Sequence, residues 1–248
     1  MSTTNVNTCV STSAQSETAD DIDIRGSAQS NLHILGEINV RYSIFDIYIH
    51  SGLHVRWPVK RRVINDVYAV VQLQLPGAQN PVLFVAKNDL HVRHAEEIMI
   101  SILRSHLIKL MSTASPVVDA AIKIWINFSP CYKCSKKILQ FIEEMRKRNI
   151  YLSVEIMFPF LYKIRRAYCV DNCSHNLPSP QDHDRNVKGL LSLKHEGGVF
   201  LKTFDAEEWR TFGEVMRIDY RVPENRKLED ESLERDFLQI IRNSTESN

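Results

Sequence analysis

Residues 121–145 read AIKIWINFSPCYKCSKKILQFIEEM, and a change of period inside this stretch decides the fold. Through Phe128 the chain is apolar and partly β-branched (Ile122, Ile124, Trp125, Ile126), which predicts a buried strand over Ala121–Phe128. Past Pro130 the period becomes helical. Ile138, Leu139, Phe141, Ile142 and Met145 fall on one face, and the helix closes near the basic run Arg146–Arg148. Tyr151–Phe158 (YLSVEIMF) is a second strand, stopped by Pro159.

Working outward, Val67–Leu75 and Pro81–Ala86 are β-branched runs joined across Pro76-Gly77, a predicted hairpin. Between the hairpin and the central strand, Ile98, Ile102, Leu103, Leu107 and Leu110 have helical spacing, and Tyr42–His50 suits a first packed helix. On the C-terminal side, Phe160–Asn186 reads as a long loop. A short helix over Val187–His195 follows, closed by Gly197-Gly198, then a strand over Val199–Phe204 and a helix over Ala206–Met216. An amphipathic helix over Leu228–Ile241 ends the pattern. Strands alternating with helices around one sheet predict an α/β layered domain. The expected organisation is a polar, disordered tail at 1–31, a folded domain at 32–218, and a C-terminal helix and tail at 219–248.

Composition narrows the function classes. The chain has 248 residues, of which 44% are hydrophobic and 25% charged, as in ordinary globular proteins. No apolar run approaches the roughly 20 residues of a membrane span. Met1–Gly26 lacks the basic start and apolar centre of a signal peptide, so a cytoplasmic or nuclear location without membrane association is expected. Five scattered cysteines do not make a secreted disulfide framework. The net charge of +1 conceals an uneven distribution. Residues 1–31 and 219–248 each carry −3, which leaves +7 on 32–218 and a basic centre suited to a phosphate backbone.

Two short motifs carry chemistry: His94-Ala95-Glu96, and Pro130-Cys131-Tyr132-Lys133-Cys134. Alone, H-x-E is weak, and C-x-x-C is more often half of a structural zinc site or a redox pair. Together, each opening a predicted helix, they supply one imidazole and two thiolates, the three protein ligands of a catalytic zinc with an open position. A helix N-terminus lowers a thiol pKa and so favours the metal-binding thiolate. Glu96, in the same first turn as His94, could reach a water on that ion without being a ligand, and could act as base and then acid. H-x-E…P-C-x-x-C is the established signature of the zinc deaminases.

At these residues the chain resembles the AID/APOBEC family of polynucleotide cytosine deaminases. The likeness continues in Val55-Arg56-Trp57 with Lys60-Arg61-Arg62, a basic loop before the first strand, and in Asn127-Phe128-Ser129-Pro130-Cys131, where the family usually has Ser-Trp-Ser-Pro-Cys. Leu161-Tyr162 matches a substrate-loop pair, and Asn88 matches an asparagine that touches the target nucleotide. Gly189–Leu193, Thr203-Phe204 and Trp209–Val215 follow the family's closing helix, strand and helix. The similarity covers 42–242, about four-fifths of the chain.

The resemblance implies a cytidine-deaminase-like five-stranded mixed sheet layered between helices. It also implies one Zn2+ per chain on His94, Cys131 and Cys134, with Glu96 as catalytic residue. Cytosine in single-stranded DNA or RNA, DNA ahead of RNA, would be hydrolysed to uracil. Phe128 and Tyr162 would stack on the base, with Asn88 and Ser129 beside them, while Arg56, Arg61 and Arg62 would meet phosphates. The expected state is a monomer or weak dimer.

Departures from the family are specific. Phe128 replaces a tryptophan, and Phe160 and Lys163 flank the Leu-Tyr pair where an arginine usually precedes it. The stretch after Tyr162 is long and contains Cys169, Cys173, His175 and His183, donors for a conceivable second zinc but more simply read as a flexible insertion. Rival readings are a free-nucleoside or nucleotide deaminase, a tRNA adenosine deaminase (which would place an acid where Ser129 stands), and a non-catalytic zinc protein that binds nucleic acid. The last has no need of Glu96.

Overall fold

Alternation along the strands builds a sheet with two covered faces. The computed structural model describes residues 38–50, 66–89, 92–111, 118–166 and 177–245. In chain order its elements are α1 (Ile38–His50), β1 (Tyr68–Gln74), β2 (Val82–Lys87), α2 (Ala95–Met111), β3 (Val118–Ile126), α3 (Tyr132–Lys147), β4 (Ile150–Phe158), α4 (Pro180–His195), β5 (Val199–Thr203), α5 (Ala206–Met216) and α6 (Glu224–Thr245). The strands form one mixed sheet in the order β2-β1-β3-β4-β5. β1 pairs antiparallel with β2 and β3, whereas β3, β4 and β5 run parallel. This is the expected α/β sandwich, consistent with a cytidine-deaminase-like fold.

Each face has its own core. On one side Val71, Ile122, Ile124, Val154 and Ile156 pack beneath Leu103 and Leu107 of α2, Phe141 and Ile142 of α3, Leu190 of α4, and Leu233 and Phe237 of α6. On the other, Val70, Val85, Trp125 and Met157 meet Phe45, Tyr48 and Ile49 of α1 and Trp209, Phe212 and Met216 of α5. Burying a side chain of this size is worth about 1.5–3 kcal/mol. The buried Tyr48 hydroxyl reaches the carbonyls of Tyr68, at 2.7 Å, and of Trp125. The C-terminal helix is thus packed against the same core through Leu233 and Phe237.

Topology gathers one end of the sheet into a site. Because β3 and β4 are parallel, their C-terminal exits, Asn127–Cys131 and Pro159–Arg166, emerge side by side. β1 is antiparallel to β3, so its start at Tyr68 and the end of β2 at Lys87 lie at that same end. Ligands in open α/β sheets gather outside such carboxyl ends.

One expected boundary is corrected. The loop predicted over Phe160–Asn186 is helical from Pro180, so α4 opens seven residues before Val187. Ser179 caps it, its side chain accepting from the Asp182 backbone N–H at 3.1 Å, with Pro180 in the first turn. These first turns are polar (PQDHDRN) and show no apolar period, which is why the pattern hid the helix while the Ser-Pro start signalled it. α6 likewise extends beyond Leu228–Ile241 at both ends.

Candidate metal centre

The central unit of the site begins where β3 ends. Asn127 is fully buried; its Oδ1 accepts from the Tyr68 backbone N–H at 2.9 Å and its Nδ2 donates to the Asp66 carbonyl at 3.1 Å. These bonds pin the strand exit to β1. Four residues on, Cys131 caps α3 in extended conformation (φ −69°, ψ 164°) with no side-chain cap bond, so its sulfur is left to the site. Cys134 lies one turn into the helix and is buried. Tyr132 donates its backbone N–H to Asn186 Oδ1 of α4 at 2.9 Å, satisfying one of the helix's open donors.

His94 comes from the start of α2. The Glu97 carboxylate reaches back to the His94 backbone N–H at 3.2 Å while the Glu97 N–H donates to the His94 carbonyl, a reciprocal cap that fixes the turn. Glu97 also pairs with Lys137 of α3, tying the two ligand-bearing helices together. Sequence reading passed over Glu97, although a glutamate three residues after a helix cap is its signal.

His94, Cys131 and Cys134 offer ligand atoms that all lie within 4.8 Å of one another, a group that could hold a metal ion. His94 Nδ1 stands 3.8 Å from Cys131 Sγ and 3.2 Å from Cys134 Sγ. Glu96 joins them, 5% exposed and in electrostatic contact with Cys131, His94 and Cys134. The electrostatics are divided. A hydrogen bond from Cys134, together with backbone N–H groups of the helix start, draws the Cys131 thiol down to about 5 against the opposing effect of burial. Cys134, as the donor in that pair and buried beside Glu96, is pushed strongly up. Burial pushes Glu96 up to about 7, with Cys131 adding to the rise and the backbone and His94 opposing it.

Phe128 meets Phe160 and Tyr162 edge-on at 5.4 and 6.2 Å between ring centres, and Phe128 and Tyr162 are both half-buried. Ser129 follows Phe128 at the exit of β3. It is 2% exposed, its hydroxyl accepts from the Tyr162 backbone N–H at 2.9 Å, and its own N–H donates to the Phe160 carbonyl at 2.8 Å. In this arrangement it holds the Tyr162 segment to the end of β3. Asn88 is half-buried and accepts from the Val67 backbone N–H at 2.7 Å, closing the β1–β2 pair. Arg56, Arg61 and Arg62, with Trp57, lie outside the described residues, as do Cys169, Cys173 and His175. His183 belongs to α4, where its Nδ1 accepts from the Arg165 backbone N–H at 3.1 Å.

Two buried arginines, absent from the expected site, hold both ends of the Tyr162 segment to α6. Arg226 donates to the Pro159 carbonyl at 3.3 Å and pairs with Asp230 at 2.7 Å, while Trp209 donates to the second oxygen of that carboxylate at 2.7 Å. Arg166, 1% exposed, pairs with Asp236 at 2.7 Å and with Glu229, and donates to the Ser232 hydroxyl at 3.0 Å. Between them Leu161 and Ile164 are buried and Lys163 takes a left-handed turn (φ 49°). A cavity of about 550 Å³ elsewhere is lined by Phe204, Trp209, Tyr220 and Asp230, and no residue of the metal centre borders it.

No protein-family model matches this chain, and comparison with the curated proteins finds no relative. No helix among the described residues is long and apolar enough to cross a membrane.

Proposed function

We propose that this chain is a zinc-dependent deaminase that converts cytosine to uracil in single-stranded polynucleotide, DNA in preference to RNA. The observation that carries the reading is the meeting of His94, Cys131 and Cys134 with the buried carboxyl of Glu96. Zinc bonds of about 2.3 Å to sulfur and about 2.0–2.1 Å to nitrogen, at tetrahedral angles, place ligand atoms about 3.5–3.8 Å apart. The nitrogen–sulfur distances of 3.8 and 3.2 Å bracket that spacing, so the donor set fits the ion. A zinc ion held there would make a water nucleophilic near neutral pH.

The protein's own part is proton handling and orientation. Glu96, buried beside the donor set and raised from the ordinary carboxylate range by that burial, can accept a proton and return it. In the hydrolysis a bond forms from the water oxygen to C4 and the C4–amino bond breaks. Glu96 carries the water protons to ring N3 and to the departing ammonia. Tyr162 and Phe128 offer aromatic faces to a base taken out of its stack, and Ser129 fixes the distance of that segment from Cys131. The +7 on residues 32–218 and the aromatic group beside the centre favour a polynucleotide over a free nucleoside.

The test compares wild type with Glu96→Ala on single-stranded DNA, RNA and free cytidine, with metal content measured on both proteins. Uracil yield is expected to fall by about 10²–10⁴-fold in the variant with zinc retained. Equal yield would remove Glu96 from the chemistry. Turnover of cytidine alone would favour a nucleoside deaminase. Binding of nucleic acid without turnover by wild type would favour the non-catalytic zinc protein.

A further inference from the structure

Three cations and one aromatic ring lie beside the metal centre where α4 packs on α3. Tyr132 directly follows Cys131, and Lys136 lies one turn on, its Nζ 4.7 Å from the centre of the Tyr132 ring. Asn186 and Gly189 form the contact face of α4, with Asn186 holding the Tyr132 N–H and Gly189 packed so closely that an added Cβ would stand 3.0 Å from the Tyr132 Cα. Arg185 and Lys188 each precede one of these contact residues and lie one turn apart on α4, so both stand beside the contact with Tyr132.

The group is exposed: Lys136, Arg185 and Lys188 face solvent and Tyr132 is half-buried. Neighbouring cations are engaged, Lys137 with Glu97 and Lys163 with Asp182. Lys136, Arg185 and Lys188 make no ion pair among the described residues. Holding three like charges beside one ring without carboxylate partners is unfavourable in the isolated protein, and a polyanion relieves it. A sequence-tolerant ring among phosphate-seeking cations has the composition of a single-strand binding surface.

We propose that Tyr132, Lys136, Arg185 and Lys188 form the track that carries the backbone of a single-stranded polynucleotide away from the metal centre, with Tyr132 stacking on a base flanking the target. The inference rests on the polynucleotide reading and deepens it, because it assigns the phosphate contacts to α3 and α4.

The experiment measures binding of a labelled single-stranded oligo-dT carrying one cytosine, by fluorescence anisotropy, between about 50 and 200 mM salt. Wild type is compared with Lys136→Gln/Arg185→Gln/Lys188→Gln and with a charge-matched control, Lys123→Gln/Lys194→Gln/Arg210→Gln, of which Lys123 and Arg210 are already paired with carboxylates. Melting temperature and zinc content are recorded for all three proteins. The track variant is expected to bind at least tenfold more weakly at low salt, with the slope of log affinity against log salt reduced by about 2, since each single-strand phosphate contact contributes about 0.7. The control is expected to keep the wild-type slope. Wild-type binding with an unchanged slope in the track variant overturns the track and leaves the polynucleotide reading standing, as does an equal loss in both variants. No binding by wild type at low salt overturns the polynucleotide reading itself.

Discussion

Charge is buried in two regions of this molecule, the metal centre and the arginine braces on α6, and the two handle it differently. At the centre, His94, Glu96, Cys131 and Cys134 crowd together with one carboxyl held near 7 and one thiol drawn to about 5. Their protons are shared unevenly, an arrangement open to a cation. At the braces each charge already faces an opposite partner: Arg166 meets two carboxylates and a hydroxyl, and Arg226 meets Asp230 and a backbone carbonyl. The centre is a group that could hold a metal ion, whereas the braces already hold their partners. What the difference teaches is that buried acidic groups with no paired Lys or Arg point to a ligand site, and buried guanidinium–carboxylate pairs point to positioning. The two are joined mechanically, since the braces hold both ends of the segment that brings Tyr162 to the centre.

Breaking the centre should have the largest effect on chemistry. Cys134→Ser removes a ligand, and we expect bound metal by elemental analysis and uracil formation both to fall to background; retained stoichiometric metal would show that the sulfur is dispensable. Breaking a brace should strike stability first. Arg166→Met strands Glu229 and Asp236 without their partner and should cost about 3–5 kcal/mol in urea unfolding. Adding Glu229→Gln and Asp236→Asn should recover most of that loss, because no buried charge is then uncompensated. If the triple variant is no more stable than the single, the brace is not electrostatic.

A steric change sharpens the contrast from the side of the centre. A Cβ at Gly189 would stand 2.9 Å from Ser135 Oγ and 3.0 Å from the Tyr132 Cα. Gly189→Ala should therefore push α4 from α3 and cost about 1–3 kcal/mol, read as a lower urea midpoint. The smallest expected effect concerns Asp230. Burial outweighs Arg226 and Trp209 and pushes its carboxyl up to about 6 from an ordinary 3.8. A folded value above the unfolded one adds stability that is complete below about pH 4 and is lost as pH rises through about 6. Across that window wild type should lose on the order of 2 kcal/mol relative to Asp230→Asn, and parallel stability curves for the two proteins would exclude a raised carboxyl.

Much of the fold was legible because it is written at short range. Runs of apolar and β-branched residues gave the five strands, helical spacing gave the apolar parts of α2, α3 and α6, and Ala206–Met216 was read with its observed ends. The start of α4 escaped because its first turns bury little and carry no apolar period, so only the Ser179 cap announced it. The Ser129 hydroxyl meets the Tyr162 N–H, a partner 33 residues away that spacing does not reveal. The braces were invisible for the same reason, since Arg166 finds Glu229 and Asp236 63 and 70 residues along the chain.

By itself the sequence determined the element types and the chemical identity of the donors, because propensity, capping and ligand type are properties of residues and their near neighbours. Only the tertiary structure decided that His94 meets sulfurs 37 and 40 residues away, and that Tyr162 is clamped beside them. Those meetings depend on parallel β3 and β4 releasing their C-terminal ends together and on α6 folding back across them. Such closure is set by packing among distant segments, which no local pattern contains.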